Sequence, residues 1–308
     1  MIDFKNQVAI VTGAGRGLGR LYALDIARRG GSVVVNDLGG TMQGEGTDMR
    51  VADQVVEEIK RAGGNAVASY DSVATPEGGE AIVRTAVEQF GRLDAVVSNA
   101  GIFNAAPFEE LTPEQWRRMV NVHLDGSFYL SQPAYRVMKS QGYGRFVFIA
   151  SSAGMFGMPQ EAHYAAAKAG IVGLTNVIAI EGEAYGIQAN SVLPTGFTRM
   201  VTETVGGEEA AMEMPFLRSI DPDLVVPIVT FLASRACEFT HHNYAACAGR
   251  YCRVFVGLGD GWLAEAGSKP TADDIVTHLA KVSATAPFTI PSSIFDEVLE
   301  LCTLRGIT

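Results

Sequence analysis

Residues 12–19 read Thr12-Gly13-Ala14-Gly15-Arg16-Gly17-Leu18-Gly19, between the apolar segment Gln7–Val11 and a sequence of helix length. A glycine-rich turn that joins a first strand to a helix is the phosphate-binding element of dinucleotide-binding folds. There Gly13 permits the tight turn, Gly17 lets backbone N–H groups approach a pyrophosphate, and Gly19 allows the helix to pack closely on the strand. A glycine-rich loop selected only for its turn geometry is the alternative, and the position after strand one favours nucleotide binding.

Short apolar segments alternate with longer segments of helical periodicity outward from this turn. The strand candidates are Gln7–Val11, Ser32–Asn36, Ala66–Tyr70, Leu93–Ser98, Arg145–Ala150 and Gln188–Val192. The helix candidates are Leu18–Arg29, Met49–Ala62, Pro76–Phe90, Pro113–Lys139 and Tyr164–Tyr185. This alternation predicts the α/β class, with a Rossmann-type doubly wound parallel sheet.

The domain organisation follows from where the alternation stops. Residues 1–262 are predicted to form one dinucleotide-binding and catalytic domain, because no Pro/Ser-rich linker interrupts the pattern before Gly257–Thr271. Beyond that segment, Asp273–Val282 and Ser293–Leu301 are predicted helices. We therefore expect a C-terminal helical extension over residues 263–308.

An acidic residue ends the second predicted strand. Asp37 lies about 20 residues beyond the glycine turn, where a carboxylate can accept hydrogen bonds from the adenosine ribose hydroxyls. A 2′-phosphate at that place would meet like charge, so Asp37 favours NAD and makes NADP the less expected cofactor. Arg16, inside the turn, offsets part of the repulsion. A surface acid at a strand end is the alternative.

A serine, a tyrosine and a lysine follow the fifth predicted strand. Ser151 comes at its carboxyl end, where ligands bind in such folds, and Tyr164 and Lys168 have the i, i+4 spacing that places them on one helix face. A tyrosine needs a neighbouring positive charge to act as a base at neutral pH, which Lys168 and an oxidised nicotinamide would supply. Tyr164 would take a hydroxyl proton as hydride leaves the carbinol carbon. Singly, each residue also fits ordinary packing or a solvated surface.

Together these motifs resemble the short-chain dehydrogenase/reductase family across most of residues 7–200, and the resemblance implies roles for individual residues. The implied catalytic residues are Asn121, Ser151, Tyr164 and Lys168, with Asn121 kinking the helix after strand four and ordering a water relay to the lysine. The implied cofactor-binding residues are Gly13, Arg16, Gly17, Leu18, Gly19, Asp37, Asp71, Ser72, Asn99, Ala100, Gly101, Tyr164, Lys168, Pro194, Gly196 and Thr198.

A narrower likeness is carried by Val35–Gly40, Tyr70–Val73 and Val122–Phe128. These stretches resemble the (3R)-hydroxyacyl-CoA dehydrogenase part of the peroxisomal multifunctional enzymes type 2 and their stand-alone bacterial relatives. The multifunctional enzymes have a basic residue in place of Asn121, where this chain resembles an ordinary family member. The likeness fades after residue 200. It implies a 3-hydroxyacyl-CoA substrate or, alternatively, a 17β-hydroxysteroid.

The segment after strand six is expected to cover the substrate. It carries the apolar residues Met200, Val201, Val205, Met212, Met214, Phe216 and Leu217. Such an adaptable apolar surface predicts a bulky apolar small-molecule substrate, and a helix packing its own apolar face is the alternative. The family resemblance also implies a homodimer or homotetramer formed through the helices of residues 113–139 and 164–185.

Composition limits the remaining possibilities. A net charge of -10 and a pI of about 5.0 oppose nucleic-acid or anionic membrane partners. No uninterrupted apolar run reaches the roughly 18 residues of a membrane helix, and residues 1–11 leave no room for a signal peptide. With all four cysteines in the last quarter of the chain, a reducing cytoplasmic location is expected.

The sequence argues against two other functions, metal binding and a non-catalytic role. Cys237, His241, His242, Cys247 and Cys252 lie within a short span, but they lack paired C-x-x-C spacing, and we expect no metal. A non-catalytic nucleotide-binding sensor or scaffold would be indicated by loss of Tyr164 or Lys168. Both are present, so an enzyme is expected.

Overall fold

The computed structural model describes residues 1–197, 209 and 213–307. Its principal sheet contains β1 Val8–Thr12, β2 Ser32–Asn36, β3 Asn65–Ser69, β4 Ala95–Ser98, β5 Gly144–Ile149, β6 Ile187–Thr195, β7 Asn243–Cys247 and β8 Arg250–Val254. The strand order is β3-β2-β1-β4-β5-β6-β7-β8, and the pairs from β3 to β7 are parallel. The predicted Rossmann-type fold is confirmed.

Helices connect these strands. They are α1 Gly17–Arg28, α2 Arg50–Arg61, α3 Pro76–Phe90, α4 Pro113–Val120, α5 Gly126–Gln141, α6 Ser152–Phe156, α7 Ala162–Gly182, α8 Pro215–Ser219 and α9 Val226–Ala233. Short 3₁₀ turns occupy Phe108–Glu110, Glu183–Tyr185 and Pro222–Leu224. Because helices cover both faces, the central strands are apolar in consecutive positions, as in the fully buried run Val33-Val34-Val35 of β2.

The segment predicted as one helix over Pro113–Lys139 is divided. The helix begins at Pro113, where Thr112 and Gln115 form a capping box, but a π-helical turn at Asn121–Asp125 separates α4 from α5. The i→i+5 bond of that turn, from the Gly126 N–H to the Asn121 carbonyl, accommodates one extra residue. Periodicity alone does not reveal such an insertion, because the residues on both sides keep helical spacing.

The edge beyond β6 was not predicted in detail. The strands β7 and β8 are joined by Ala248 and Gly249, both with positive φ, which is typical of a two-residue β-hairpin turn. The parallel pairing of β6 with β7 runs from Ser191–Asn243 to Thr195–Cys247. This pairing extends β6 beyond the predicted Gln188–Val192.

The chain forms two compact units, Met1–Arg253 and Val254–Thr308. The second contains the pair β9 Leu258–Gly259 and β10 Phe288–Thr289, and the helices α10 Ala272–Thr277, α11 Leu279–Val282 and α12 Ile294–Arg305. The predicted helix 273–282 is thus split at His278. The boundary predicted after residue 262 lies beyond the observed division, because residues 258–259 pair with 288–289 inside the second unit.

One helical segment, Ala162–Tyr185, is long and apolar enough on average to cross a membrane, although polar residues such as Lys168 interrupt its apolar run. That criterion uses length and composition only, and an interior helix meets it equally. Here α7 packs on α6 and β6, and its Lys168 is buried.

Candidate active site

A cavity of about 480 Å³ opens at the carboxyl ends of the central strands. It is lined by predicted cofactor-binding residues from the glycine turn to the catalytic helix, namely Gly13, Arg16, Gly17, Leu18, Gly19, Asp37, Asp71, Ser72, Asn99, Ala100, Gly101, Tyr164, Lys168, Pro194 and Gly196. Thr198 lies outside the described residues. One depression therefore joins the predicted nucleotide end to the predicted chemical end.

The glycine turn needs its glycines for two different reasons, a left-handed backbone and a close contact. Gly13 has φ of +62° and Gly17 has φ of +52°, a left-handed region that disfavours side chains. A Cβ at Gly17 would meet open space, whereas one at Gly19 would lie 2.2 Å from the Gly13 carbonyl oxygen. The turn therefore leaves the N-terminus of α1 accessible, and no side chain caps it at Arg16. Free N–H groups at a helix N-terminus suit a pyrophosphate.

The Asp37 carboxylate is tied to the surrounding backbone. Its Oδ2 accepts from the Gly15 N–H at 2.8 Å, and its Oδ1 accepts from the Gly39 N–H at 2.7 Å. The Arg16 guanidinium lies 3.5 Å from the Gly40 carbonyl oxygen, on the same side of the cavity. A carboxylate and a guanidinium thus both lie where the adenosine ribose is expected.

Hydrogen bonds hold the strand ends that line the cavity between Asp37 and Tyr164. The Asn99 side-chain N–H donates to the Thr12 carbonyl at 2.9 Å, and the Ala100 N–H donates to the Thr12 hydroxyl at 3.1 Å. The Asp71 carbonyl accepts from the Asn36 side chain at 2.9 Å, and the Ser72 hydroxyl accepts from the Ala74 N–H at 3.2 Å. These bonds tie the carboxyl end of β4 to that of β1, and the carboxyl end of β3 to that of β2.

Ser151, Tyr164 and Lys168 come together at the other end. Ser151 is the N-cap of α6, and its hydroxyl accepts from the Ala153 N–H at 3.1 Å. The buried Lys168 ammonium donates to the Ile149 carbonyl at 2.6 Å and lies 5.5 Å from the centre of the Tyr164 ring. The predicted one-face arrangement on α7 is therefore present.

The acid–base state differs from the expectation that Lys168 lowers the pKa of Tyr164. Burial raises the pKa of Tyr164 to about 12, a hydrogen bond with Ser151 lowers it in part, and the charge of Glu161 raises it. Burial also lowers the pKa of Lys168 to about 7. Burial is the first cause of both shifts, so desolvation governs the acid–base state of this end of the cavity.

Asn121 is not among the cavity-lining residues. It begins the π-helical turn, and the residues of that turn which face the cavity are Val122 and His123. The His123 and Tyr164 rings pack edge to face at 5.3 Å, and Phe103 packs on Tyr164 likewise at 5.5 Å. Sequence reasoning missed both rings, since only tertiary packing brings them to Tyr164.

The segment after β6 is described only in part. Met200, Val201, Val205 and Met212 lie outside the described residues. Met214 and Phe216 are exposed, whereas Leu217 packs with Ile220. Leu217 therefore fits the packing alternative, and the covering of the substrate by this segment stays a prediction.

The histidines and cysteines near β7 form other contacts. Cys237 is buried with its Sγ 3.7 Å from the Asn190 side-chain nitrogen, and His242 Nδ1 lies 2.9 Å from the Tyr244 hydroxyl. Across residues 1–197, 209 and 213–307, no group of three or more His, Cys, Asp or Glu side chains is placed to hold a metal ion.

The cavity fits a nicotinamide dinucleotide at each point where the described chain can be tested. The uncapped N-terminus of α1 offers donors to a pyrophosphate, and open space at Gly17 leaves room for it. The cavity continues from Asp37 to Tyr164 and Lys168, so a bound dinucleotide would extend toward the acid–base group. This arrangement defines a Rossmann-type oxidoreductase site.

The chain belongs to the short-chain dehydrogenase family, whose model matches residues 7–209. It is 40% identical over 283 residues to a protein of Mycobacterium tuberculosis classed as a short-chain type dehydrogenase/reductase, covering 92% of this chain and 96% of that protein. The chain is an oxidoreductase that acts on CH–OH groups.

Two solved proteins extend the comparison. Peroxisomal multifunctional enzyme type 2 of Drosophila melanogaster is 40% identical over 276 residues, 90% of this chain and 44% of the enzyme. The full-length structure of that enzyme superposes on 99% of this chain with a TM-score of 0.81 and 30% sequence identity. The matched part is half of the enzyme's length. Carveol dehydrogenase from Mycobacterium avium in complex with NAD gives a TM-score of 0.74, with 26% identity over 81% of this chain and 99% of that one.

Proposed function

We propose that this protein is an NAD-dependent dehydrogenase of 3-hydroxyacyl-CoA. The observation that carries the proposal is the single cavity that joins the glycine turn and Asp37 to Tyr164 and Lys168. The similarity to peroxisomal multifunctional enzyme type 2 supports the acyl-CoA substrate class, and the NAD complex of a structural neighbour supports the cofactor.

A bound nicotinamide dinucleotide would accept or return the hydride. The chain's own residues would handle the proton: Tyr164 takes it from the substrate hydroxyl in oxidation and gives it back in reduction. Ser151 holds the substrate oxygen by a hydrogen bond. Lys168, fixed on the Ile149 carbonyl, orients toward the Tyr164 ring and adds positive charge when protonated.

Exposed apolar side chains near the tyrosine support a bulky apolar substrate. Phe156 and Met158 lie between Ser151 and Tyr164 in sequence and are 73% and 53% exposed. Phe216, in α8, is 58% exposed. None of the three lines the cavity, but each lies in a segment that follows β5 or β6, and small-molecule sites are lined mainly by apolar and aromatic side chains.

The test is a substrate panel with NAD and with NADP: 3-hydroxyacyl-CoA of short and long chain, a 17β-hydroxysteroid, and short polar alcohols. We expect the highest kcat/KM for a long-chain 3-hydroxyacyl-CoA with NAD. Phe156→Ala should raise KM for the long chain more than for the short one, and Tyr185→Phe is the matched aromatic control. A higher kcat/KM for short polar alcohols would refute the proposal, and preference for the steroid would move the assignment to that alternative.

A homodimer or homotetramer is proposed as well. Val177 and Ile180 of α7 are about half exposed, 52% and 49%, which supports self-association through this helix. Sedimentation analysis of the wild type and of Ile180→Glu would test it, with a shift toward monomer expected in the variant. The cytoplasmic location and the absence of nucleic-acid and membrane partners stay predictions.

A further inference from the structure

We propose that Phe103 and His123 are positioning residues for Tyr164 and that they tie its phenol to the loop at the nucleotide end of the cavity. The inference rests on the proposed function only in requiring Tyr164 to transfer the proton. It concerns two residues that no sequence motif indicated, one from the loop after β4 and one from the π-helical turn.

Two aromatic rings pack against Tyr164, each nearly perpendicular to its ring. The Phe103 ring meets it at 5.5 Å with an interplanar angle of 82°, and the His123 ring meets it at 5.3 Å with an angle of 89°. Edge-to-face packing has a preferred geometry and so restricts the tilt of the central ring. Both neighbours are buried, at 6% and 2% exposure, so neither ring can move aside into solvent.

The His123 imidazole is anchored to the same loop that carries Phe103. Its Nε2 lies 2.7 Å from the Ile102 carbonyl oxygen and 3.1 Å from the Ile102 nitrogen. The shorter contact favours the tautomer in which Nε2–H donates to the carbonyl. Burial, together with the charge of Lys168, holds the pKa of His123 well below 6.5, which keeps the ring neutral.

Packing against Gly101 fixes the adjacent Nδ1–Cε1 edge of the imidazole. A Cβ at Gly101 would lie 2.3 Å from the His123 Cε1, so only glycine permits this approach. His123 Nδ1 is buried and has no hydrogen-bond partner in the described part of the chain. The ring orientation is therefore determined by Ile102, by the backbone at Gly101 and by Tyr164.

The Ile102–Phe103 segment also holds the loop after β2. The Phe103 N–H donates to the Met42 carbonyl at 2.9 Å, and a Cβ at Gly44 would lie 2.8 Å from the Ile102 Cγ2. Met42 and Gly44 line the cavity on the same side as Asp37. A change in that loop would thus act on the backbone that carries Phe103 and anchors His123.

The test compares Phe103→Leu, Phe103→Tyr and His123→Gln in the full chain, with Met138→Ala as the control. Met138 is fully buried in α5 and does not line the cavity. The readouts are kcat and KM for the alcohol, the Kd for NAD, thermal unfolding, and an ultraviolet titration of Tyr164 as the difference from Tyr164→Phe.

We expect Phe103→Leu and His123→Gln to lower kcat about tenfold or more with KM little changed, because a misplacement of about 1 Å can cost about a hundredfold. Loosened packing should hydrate Tyr164 and lower its pKa from about 12 toward the ordinary value of 10.0. Phe103→Tyr should keep most of the wild-type kcat. Met138→Ala should lower stability but leave both kcat and the Tyr164 pKa unchanged.

Wild-type kcat and an unchanged Tyr164 titration in both Phe103→Leu and His123→Gln would overturn the proposal, as would the same losses in Met138→Ala. Should His123→Gln fail to fold, the Phe103 pair decides the outcome alone. The Tyr164 titration requires no alcohol substrate, so it can be measured even if the 3-hydroxyacyl-CoA assignment is wrong. Failure of that assignment would be seen in the substrate panel instead.

Discussion

The nucleotide end and the tyrosine end of the cavity are built in different ways. At the nucleotide end, contiguous residues 12–19 present backbone N–H groups at a helix terminus, and glycines keep that backbone accessible. At the tyrosine end, side chains from four separate segments converge: the buried Phe103, His123 and Lys168, and the half-buried Ser151 and Tyr164. The first end depends on local conformation and the second on tertiary packing and desolvation. Substitutions at the two ends should therefore affect different steps, cofactor binding at the first and proton transfer at the second, and the contact of Phe103 with Met42 is the route by which one end can act on the other.

The largest difference between the effect on kcat and the effect on NAD binding is expected for Tyr164→Phe, which removes the proton-transferring hydroxyl and keeps the ring. We expect kcat to fall by about 10²–10⁴-fold, the usual contribution of general acid–base catalysis. The Kd for NAD, measured by calorimetry, should stay near the wild-type value. The matched control is Tyr185→Phe, at the end of the same helical segment, which should leave kcat unchanged. Wild-type turnover in Tyr164→Phe would refute the assignment.

The second effect concerns burial at the tyrosine end. The folded chain lowers the pKa of Lys168 from 10.5 to about 7, so between these values the unfolded chain binds more protons. Stability should therefore rise with pH from 7 to 10.5 and show no such slope below 7. Lys168→Met should remove this component, which amounts to about 5 kcal/mol across the window. Denaturant unfolding of both proteins against pH is the measurement, and parallel curves would contradict the described burial.

A third, smaller effect isolates the nucleotide end. Gly19→Ala places a Cβ 2.2 Å from the Gly13 carbonyl oxygen, so the turn must shift. Overpacking of this kind costs about 1–3 kcal/mol, and we expect NAD affinity to fall about tenfold. Gly173→Ala is the control, because a Cβ there meets open space in the middle of α7. Unchanged NAD affinity in Gly19→Ala would argue against the turn as the pyrophosphate site.

The smallest effect concerns the choice between NAD and NADP. Asp37→Asn removes the negative charge and leaves one of the two backbone N–H contacts without its carboxylate acceptor. We expect the ratio of kcat/KM for NAD over NADP to drop by less than about tenfold, since Arg16 already lies nearby. An increased preference for NAD would contradict the role given to Asp37.

How much of the molecule is predictable from sequence follows the same division. The β1–turn–α1 unit, the strand ending in Asp37 and the pair Tyr164 and Lys168 are encoded by neighbouring residues, and short patterns identify them. The break at Asn121–Asp125 is invisible in periodicity, because helical spacing continues on both sides. The hairpin β7–β8 likewise follows no alternating pattern strong enough to indicate it.

The neighbours of Tyr164 could not be predicted because they depend on distances between segments far apart in the chain. The pKa of Tyr164 shows this most clearly. Charge pairing seen in the sequence predicts a lower value, whereas burial, which only the fold determines, raises it. Gly101 is the one sequence feature connected with His123, because any side chain at that position would collide with the imidazole. The sequence shows the glycine, and only the fold shows the reason for it.

Isotope transfer tests most directly whether the two ends serve one reaction. A 3-hydroxyacyl-CoA carrying deuterium at the carbinol carbon would be oxidised with NAD, and the reduced nucleotide examined by mass spectrometry. We predict that the deuterium appears in the nicotinamide ring with the wild type and that Tyr164→Phe forms almost none of this product. Reduced nucleotide without deuterium, or equal labelled product from Tyr164→Phe, would contradict the account.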